Sequence, residues 1–184
     1  MRVEKSEVLI IFMFNSINRF LSNASLESKL TDLFGCEEWK KIIILEGFAR
    51  EAGIVELFRA QLKKLSKFVS SYRISFPNID RTYYYLFHLT NNLKGCNIFK
   101  SSFAKYNYGK IEYRGYKGNE LTFLDLNSFK IDEIKHFLIQ KFINTEISFN
   151  DIVATLIEDT PYLEKDIRET LKELEKEDKV KIKR

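Results

Sequence analysis

Apolar positions change their spacing along the chain, and each change predicts an element. Val8–Phe14 (VLIIFMF) is an unbroken apolar run preceded by Glu4, Lys5 and Glu7. A run that short, bounded by charge, predicts a strand buried on both faces, as in a parallel sheet. Asn15–Phe20 (NSINRF) reads as a turn leading into a short helix. Ser25 is the expected cap of a helix over Leu26–Phe34 that closes at Gly35. Another helix opens at Glu37–Lys41. Ile54, Leu57, Phe58, Gln61, Leu62 and Leu65 then recur with the 3.6-residue period of a packed helical face. Together these pieces predict a helical layer.

The period then falls to two. Phe68–Phe76 (FVSSYRISF) and Thr82–Thr90 (TYYYLFHLT) are rich in aromatic and β-branched residues, and Pro77, Asn78 and Asp80 lie between them. Proline presets a turn, while Asn and Asp close it with their side chains, so the pair predicts an antiparallel hairpin with the second strand the more buried. Leu93–Lys105 places Ile98, Phe99 and Phe103 on one side and spreads Lys94, Lys100 and Lys105 around it, a basic amphipathic helix. Lys110–Tyr116 is expected to be a short strand or an extended link.

Glycine and polar residues between Gly115 and Asn119 interrupt the pattern and predict a boundary, giving domains over 1–117 and 118–184. The second domain opens with a helix over Ile131–Ile143, with Asp132 and Glu133 at its positive end. Ser148 and Asn150 lie at the entry to a second helix ending near Glu158. Thr160 and Pro161 suit the cap and first position of a third, and Ile167, Leu171 and Leu174 mark its buried side. Lys179–Arg184 alternates as a basic strand. Three short helices followed by a β segment is the order of a winged helix-turn-helix domain, whose third helix can lie in the major groove of a duplex. Pro161–Arg184 carries eight basic and seven acidic residues. So weak a net charge favours protein contact or dimerisation over groove reading for this helix.

Charge changes the picture most in the middle of the chain. The whole protein of 184 residues is only +4, yet Lys63–Lys117 holds eleven Lys and Arg against Asp80 and Glu112, together with eight of the nine tyrosines. Cations neutralise phosphates and ring faces accept bases, so this mixture fits a nucleic-acid surface, beside the plainer reading of strand tyrosines and solvated lysines. Its candidate contacts are Lys94, Lys100, Lys105, Tyr106, Lys110, Arg114 and Lys117. The seven-residue apolar run is far below the roughly 20 residues of a membrane span. It also lacks a small-residue cleavage site. A cytoplasmic protein without a membrane contact is therefore expected. Cys36 and Cys96 lie 60 positions apart, with only His88 and His136 as nitrogen ligands, so neither a zinc site nor any other metal site is predicted.

Three stretches carry a resemblance: Glu7–Phe20 (EVLIIFMFNSINRF), Leu33–Trp39 (LFGCEEW) and Thr82–Gly109 (TYYYLFHLTNNLKGCNIFKSSFAKYNYG). In this order and spacing they resemble the three-Cys-motif partner protein family, TcmP. Thr90, Asn91, Gly95 and Lys100 match its pattern. Phe99 stands where Met is usual, Ala104 where Trp is usual, and Asn107 and Tyr108 where the family has Asp-Pro before Gly109. Family members resemble Rossmann-type S-adenosylmethionine-dependent methyltransferases and are associated with mobile elements. The resemblance therefore implies an α/β fold: the C-terminal half of a methyltransferase-like Rossmann domain, followed by an α+β winged helix-turn-helix domain. It also implies a three-Cys-motif protein as a partner.

The family's glycine-rich loop, acidic ribose-binding residue and Asp-Pro-Phe-Gly motif have no counterpart in this sequence. Because a Rossmann cofactor sits on the leading strands and the first helix's N-terminus, no cofactor is expected in this chain. S-adenosylmethionine would enter only if another chain supplied those elements. Asn15 and Arg19, just beyond the first strand, form a candidate substrate edge, although a turn Asn and a surface Arg are the plainer reading. His88 reads as a core histidine, and no catalytic constellation emerges from spacing. The expectation is a protein that binds nucleic acid or a protein partner and is not active alone. The alternatives are the C-terminal part of a split methyltransferase, or a winged-helix protein resembling a transcription factor.

Overall fold

A computed structural model describes residues 6–75, 81–105, 111–113, 131–158, 160 and 162–183, with only the backbone described for residues 104, 105 and 111–113. The described residues form a mixed α/β structure. Strand β1 (Val8–Phe12) is followed by α1 (Phe14–Phe20), α2 (Glu27–Phe34) and α3 (Gly47–Lys63). Strands β2 (Phe68–Ser75) and β3 (Thr82–Thr90) follow, then α4 (Leu93–Lys105) and the short β4 (Ile111–Tyr113). Helices α5 (Ile131–Phe142), α6 (Phe149–Leu156) and α7 (Glu164–Lys176) complete the order.

The hairpin expected from the Pro-Asn-Asp turn is present, with Ser70 opposite His88 and Tyr72 opposite Leu86. The sheet order is β1-β3-β2-β4, and all three pairings are antiparallel. This corrects the expectation of a parallel, doubly buried first strand. Among the described residues β1 pairs with β3 alone, and most of its side chains are exposed because a strand at a sheet edge lacks one neighbour. The hairpin's burial is also the reverse of expectation: the first six residues of β2 are all buried, whereas Tyr83, Tyr84 and Leu86 of β3 are not. Both strands touch helices, α3 and α4 on β2 and α1 and α4 on β3, and the partly open β3 residues lie in its first half, beside the exposed end of β1 at Ile11.

One side of the sheet packs on α1–α3 around an aromatic cluster. Phe12 stacks on Phe58 with ring centroids 4.3 Å apart, and Phe87 meets Phe58 edge-on at 5.2 Å. Offset stacking and edge contacts suit the ring quadrupole, so the cluster has defined geometry as well as buried area. Helix α2 ends as expected at Gly35, whose φ of +63° is easily reached only without a Cβ. Ser25 does not cap it; Asn23 instead accepts from the Ser25 N–H at 3.0 Å and caps the single 3-10 turn before α2. Charge is buried in this layer only with partners. Glu51 accepts from Thr82 and Tyr85 at 2.6 Å each and lies 3.3 Å from Arg73, and Arg59 donates to the Val69 carbonyl at 3.2 Å.

On the other side α4 covers β2 and β3. Tyr72 stacks on Phe103 at 4.4 Å and His88 on Phe99 at 4.1 Å. Gly95 lets α4 start close to Glu7, since a Cβ there would sit 2.0 Å from its carboxylate. Helices α5–α7 enclose a second core of Ile134, Leu138, Ile152, Val153, Leu156, Ile167 and Leu174. Ser148 caps α6, accepting from the Asp151 N–H at 3.1 Å. Lys135 of α5 bonds Glu173 and Glu177 at 2.9 and 2.6 Å, and with Lys179 it holds the Glu177 carboxyl down at about 2.

Two expectations for this unit are corrected. Helix α7 begins at Glu164, three residues after Pro161: Thr160 is buried with its hydroxyl donating to the Leu156 carbonyl, so it closes α6 and is not the cap of α7. Residues 179–183 form no strand ladder among the described residues, although Val180 packs against the helical core. The expected boundary at 117/118 lies outside the described residues. The two cores nevertheless touch: Phe68, Cys96 and Ile157 share a buried cluster with Leu93 and Ala154.

Candidate nucleic-acid interface

Helix α7 starts where Asp166 accepts from the Leu163 N–H at 3.0 Å, satisfying a donor left over at the helix start. Ile167, Thr170 and Leu174 are buried. At 3.6 residues per turn, Lys165, Arg168, Lys172 and Lys176 fall on the opposite side with Glu169, and all five are exposed. Three of the other acids of the helix, Glu164, Asp166 and Glu173, lie along its flanks with partners. Glu164 accepts from Asn97 of α4 at 3.0 Å and from Arg168 at 2.9 Å, Asp166 is the cap, and Glu173 holds Lys135. Lys165, Arg168, Lys172 and Lys176 therefore face outward beside Glu169, with Arg168 paired to Glu164, from a segment whose summed charge is near zero. The Arg168 guanidinium also lies 4.2 Å over the Phe149 ring, which orients it without removing its charge.

Beyond the helix, Lys179, Lys181 and Lys183 are exposed, with Lys179 paired to Glu177 at 2.9 Å and Lys183 to Glu146 at 2.6 Å. Such exposed pairs are weak and exchange readily for phosphates.

The middle segment is different. Lys100 is 2% exposed, and its ammonium donates to the carbonyls of Ile157, at 3.0 Å, and Thr160. It satisfies carbonyls at the end of α6 and cannot reach a phosphate, which corrects its reading as a nucleic-acid contact. Lys63 donates to Glu158 at 2.7 Å, Arg73 is buried against Glu51, and Arg81 donates to Asn15 at 2.9 Å. Tyr72 and Tyr85 are buried in the packing. Of the candidate contacts, Lys94 is exposed at the start of α4. Lys105 has only its backbone described, and Tyr106, Lys110, Arg114 and Lys117 lie outside the described residues.

Asn15 and Arg19 are not brought together at a site. Asn15 is bonded to Arg81, and Arg19 lies 4.5 Å over the ring of its neighbour Phe20. His88 is buried against Phe99 with Glu7 3.3 Å from its Nε2. Burial pushes its pKa down, and the Glu7 carboxylate offsets part of that. His136 is exposed on α5. Cys36 and Cys96 are free thiols, and no helix among the described residues is long and apolar enough to cross a membrane. The α7 stripe was missed because charge was summed over the segment; the signal was present in the cation spacing opposite Ile167, Leu171 and Leu174.

With this geometry, a three-helix unit with a cationic third helix, the class is that of a winged helix-turn-helix module attached to a small antiparallel sheet. Residues 111–184 match the model of the GMT-like wHTH domain family, so such a domain is present there. The match begins in β4, on the sheet itself. No curated protein and no solved structure matches the chain.

Proposed function

We propose that this chain binds nucleic acid through the outward face of α7, with Lys165, Arg168, Lys172 and Lys176 on phosphates and groove edges and the lysines of residues 179–183 on the adjoining backbone. The observation that carries this reading is the separation of charge on α7: its cations face solvent, while Glu164, Asp166 and Glu173 are held by Asn97, the Leu163 N–H and Lys135. The winged-helix match supports it, because the third helix is the groove-reading element of that fold. Lys94 is a secondary contact, exposed at the start of α4 beside the Asn97–Glu164 link to α7.

The test is fluorescence anisotropy of a labelled 20-base-pair duplex, titrated with the full chain at two salt concentrations. Affinity should fall steeply with salt, and the slope of the log–log plot should shrink by about 1 for each phosphate contact removed. Binding indifferent to salt, or unaffected by Lys165→Glu with Lys172→Glu, would overturn the assignment.

The resemblance of residues 7–20, 33–39 and 82–109 to the TcmP family supports a second reading of the sheet unit, as the trailing half of a methyltransferase-like Rossmann domain. On this reading the chain has no methyltransferase activity alone and takes up no S-adenosylmethionine. The apolar edge of β1, paired on one side alone among the described residues, is what such a half would leave. Stoichiometric S-adenosylmethionine uptake by the chain in a calorimeter would refute it.

A further inference from the structure

Helix α7 is not uniformly cationic on its outward face. Glu169 is exposed there, one turn from Lys165 in one direction and one turn from Lys172 in the other. Acids and lysines at these spacings commonly pair, yet Glu169 has no hydrogen bond or ion pair among the described residues. Glu164, Asp166, Glu173 and Glu177 differ from it. Glu164 accepts from Asn97 and Arg168, Asp166 from the Leu163 N–H, Glu173 pairs with Lys135, and Glu177 with Lys135 and Lys179.

An unpartnered carboxylate repels phosphates, so Glu169 weakens the sequence-independent attraction that its neighbouring lysines supply to a duplex. It gains only where a hydrogen-bond donor faces it. On the major-groove edges guanine offers two acceptors, thymine an acceptor and a methyl group, and adenine an acceptor beside its amine. Cytosine alone offers an amine with no acceptor next to it on the same base. Glu169 lies in the N-terminal half of α7, the part of a recognition helix that meets base edges. Its neighbour Arg168 is held toward α6, 4.2 Å over the Phe149 ring and 2.9 Å from Glu164, and leaves the outward position at this level to Glu169.

We infer that Glu169 is a specificity-determining residue, whose carboxylate accepts from the N4 amine of a cytosine in the major groove and rejects the other three bases there. This rests on α7 being the duplex-binding element. Lys165 and Lys172 supply attraction that is blind to sequence, and Glu169 subtracts from it wherever the base is wrong.

The experiment is selection of 20-base-pair duplexes with randomised centres by the full chain, followed by anisotropy titration of the enriched duplex and of its single-base changes. One position should select cytosine, and replacing it should weaken binding by at least about fivefold. Glu169→Ala should bind random duplex more tightly and lose the preference at that position. Glu169→Gln should move the preference there to adenine, whose amine and ring nitrogen suit an amide. Both substitutions are at an exposed position, and unchanged melting curves verify the fold. Duplex binding that is absent or indifferent to salt would overturn the assignment of α7 and this one with it. Salt-dependent binding with no cytosine preference, or with one that Glu169→Ala retains, would overturn the role of Glu169 alone.

Discussion

Helices α4 and α7 have the same length and similar lysine spacing in sequence, yet they use their lysines in opposite ways. On α4 the central lysine turns inward: Lys100 is buried among helix-end carbonyls of α6. On α7 the lysines turn outward and the acids are drawn aside. The segment that looked strongly basic spends much of its charge internally, and the segment that looked neutral shows a cationic face. Charge summed along a chain does not locate charge in space, because partners from distant elements remove some groups from the surface and leave others.

The largest expected effect comes from reversing the role of Lys100. Lys100→Met keeps the apolar stem but strips two buried carbonyls of their donor, which should cost about 1–3 kcal/mol of stability. Chemical denaturation measures it. Duplex affinity of the folded variant should remain that of the wild type. A variant with wild-type stability and weakened binding would break the contrast between the helices.

The complementary experiment is Lys165→Glu with Lys172→Glu. Affinity for duplex should fall by at least about tenfold, or ~1.4 kcal/mol. Stability should change by no more than about 0.5 kcal/mol, as for other exposed positions. Equal losses of both would mean the α7 face is structural.

A smaller effect, about 1 kcal/mol, is expected from Glu158→Gln. This carboxylate accepts from Lys63 and from the Val69 N–H, joining the sheet to the end of α6. The amide retains an acceptor but loses the ion pair. Amide exchange at Val69 should speed up, and an unchanged rate would show that the link between the two cores lies elsewhere.

The smallest is a pH effect at His88. Its folded pKa lies below the ordinary 6.5, mainly through burial, so the unfolded chain binds the proton more readily. Stability should be fully present above about pH 6.5 and decline as pH falls through the lower folded value. His88→Phe, which keeps the stacking on Phe99, should flatten that part of the stability–pH curve. An identical curve in the variant would exclude His88 as its source.

Much of the local structure was readable from spacing. The bounds of β3 and α4 match the expected runs, Gly35 and Ser148 terminate and start helices as their chemistry predicts, and the three-helix order pointed to the winged helix-turn-helix domain. The misreadings share a cause. The apolar run at Val8 reads as a doubly buried strand, since a run on an edge and a run in a sheet interior have the same composition. Thr160 reads as a cap, since its hydroxyl can donate to the preceding turn as easily as it can accept from the following one.

By itself the sequence determined most of the helices and strands, β3 and α4 among them, because those choices depend largely on neighbours within a few positions. It also determined that α7 would have one apolar and one charged side. Tertiary structure alone decided that Lys100 would be enclosed, that Glu164 and Glu173 would be drawn into internal contacts, and that β1 would lie at an edge. Each of these depends on a partner dozens of residues away, and the strength of a charge or the cost of an apolar surface is set by what surrounds it once the chain has folded.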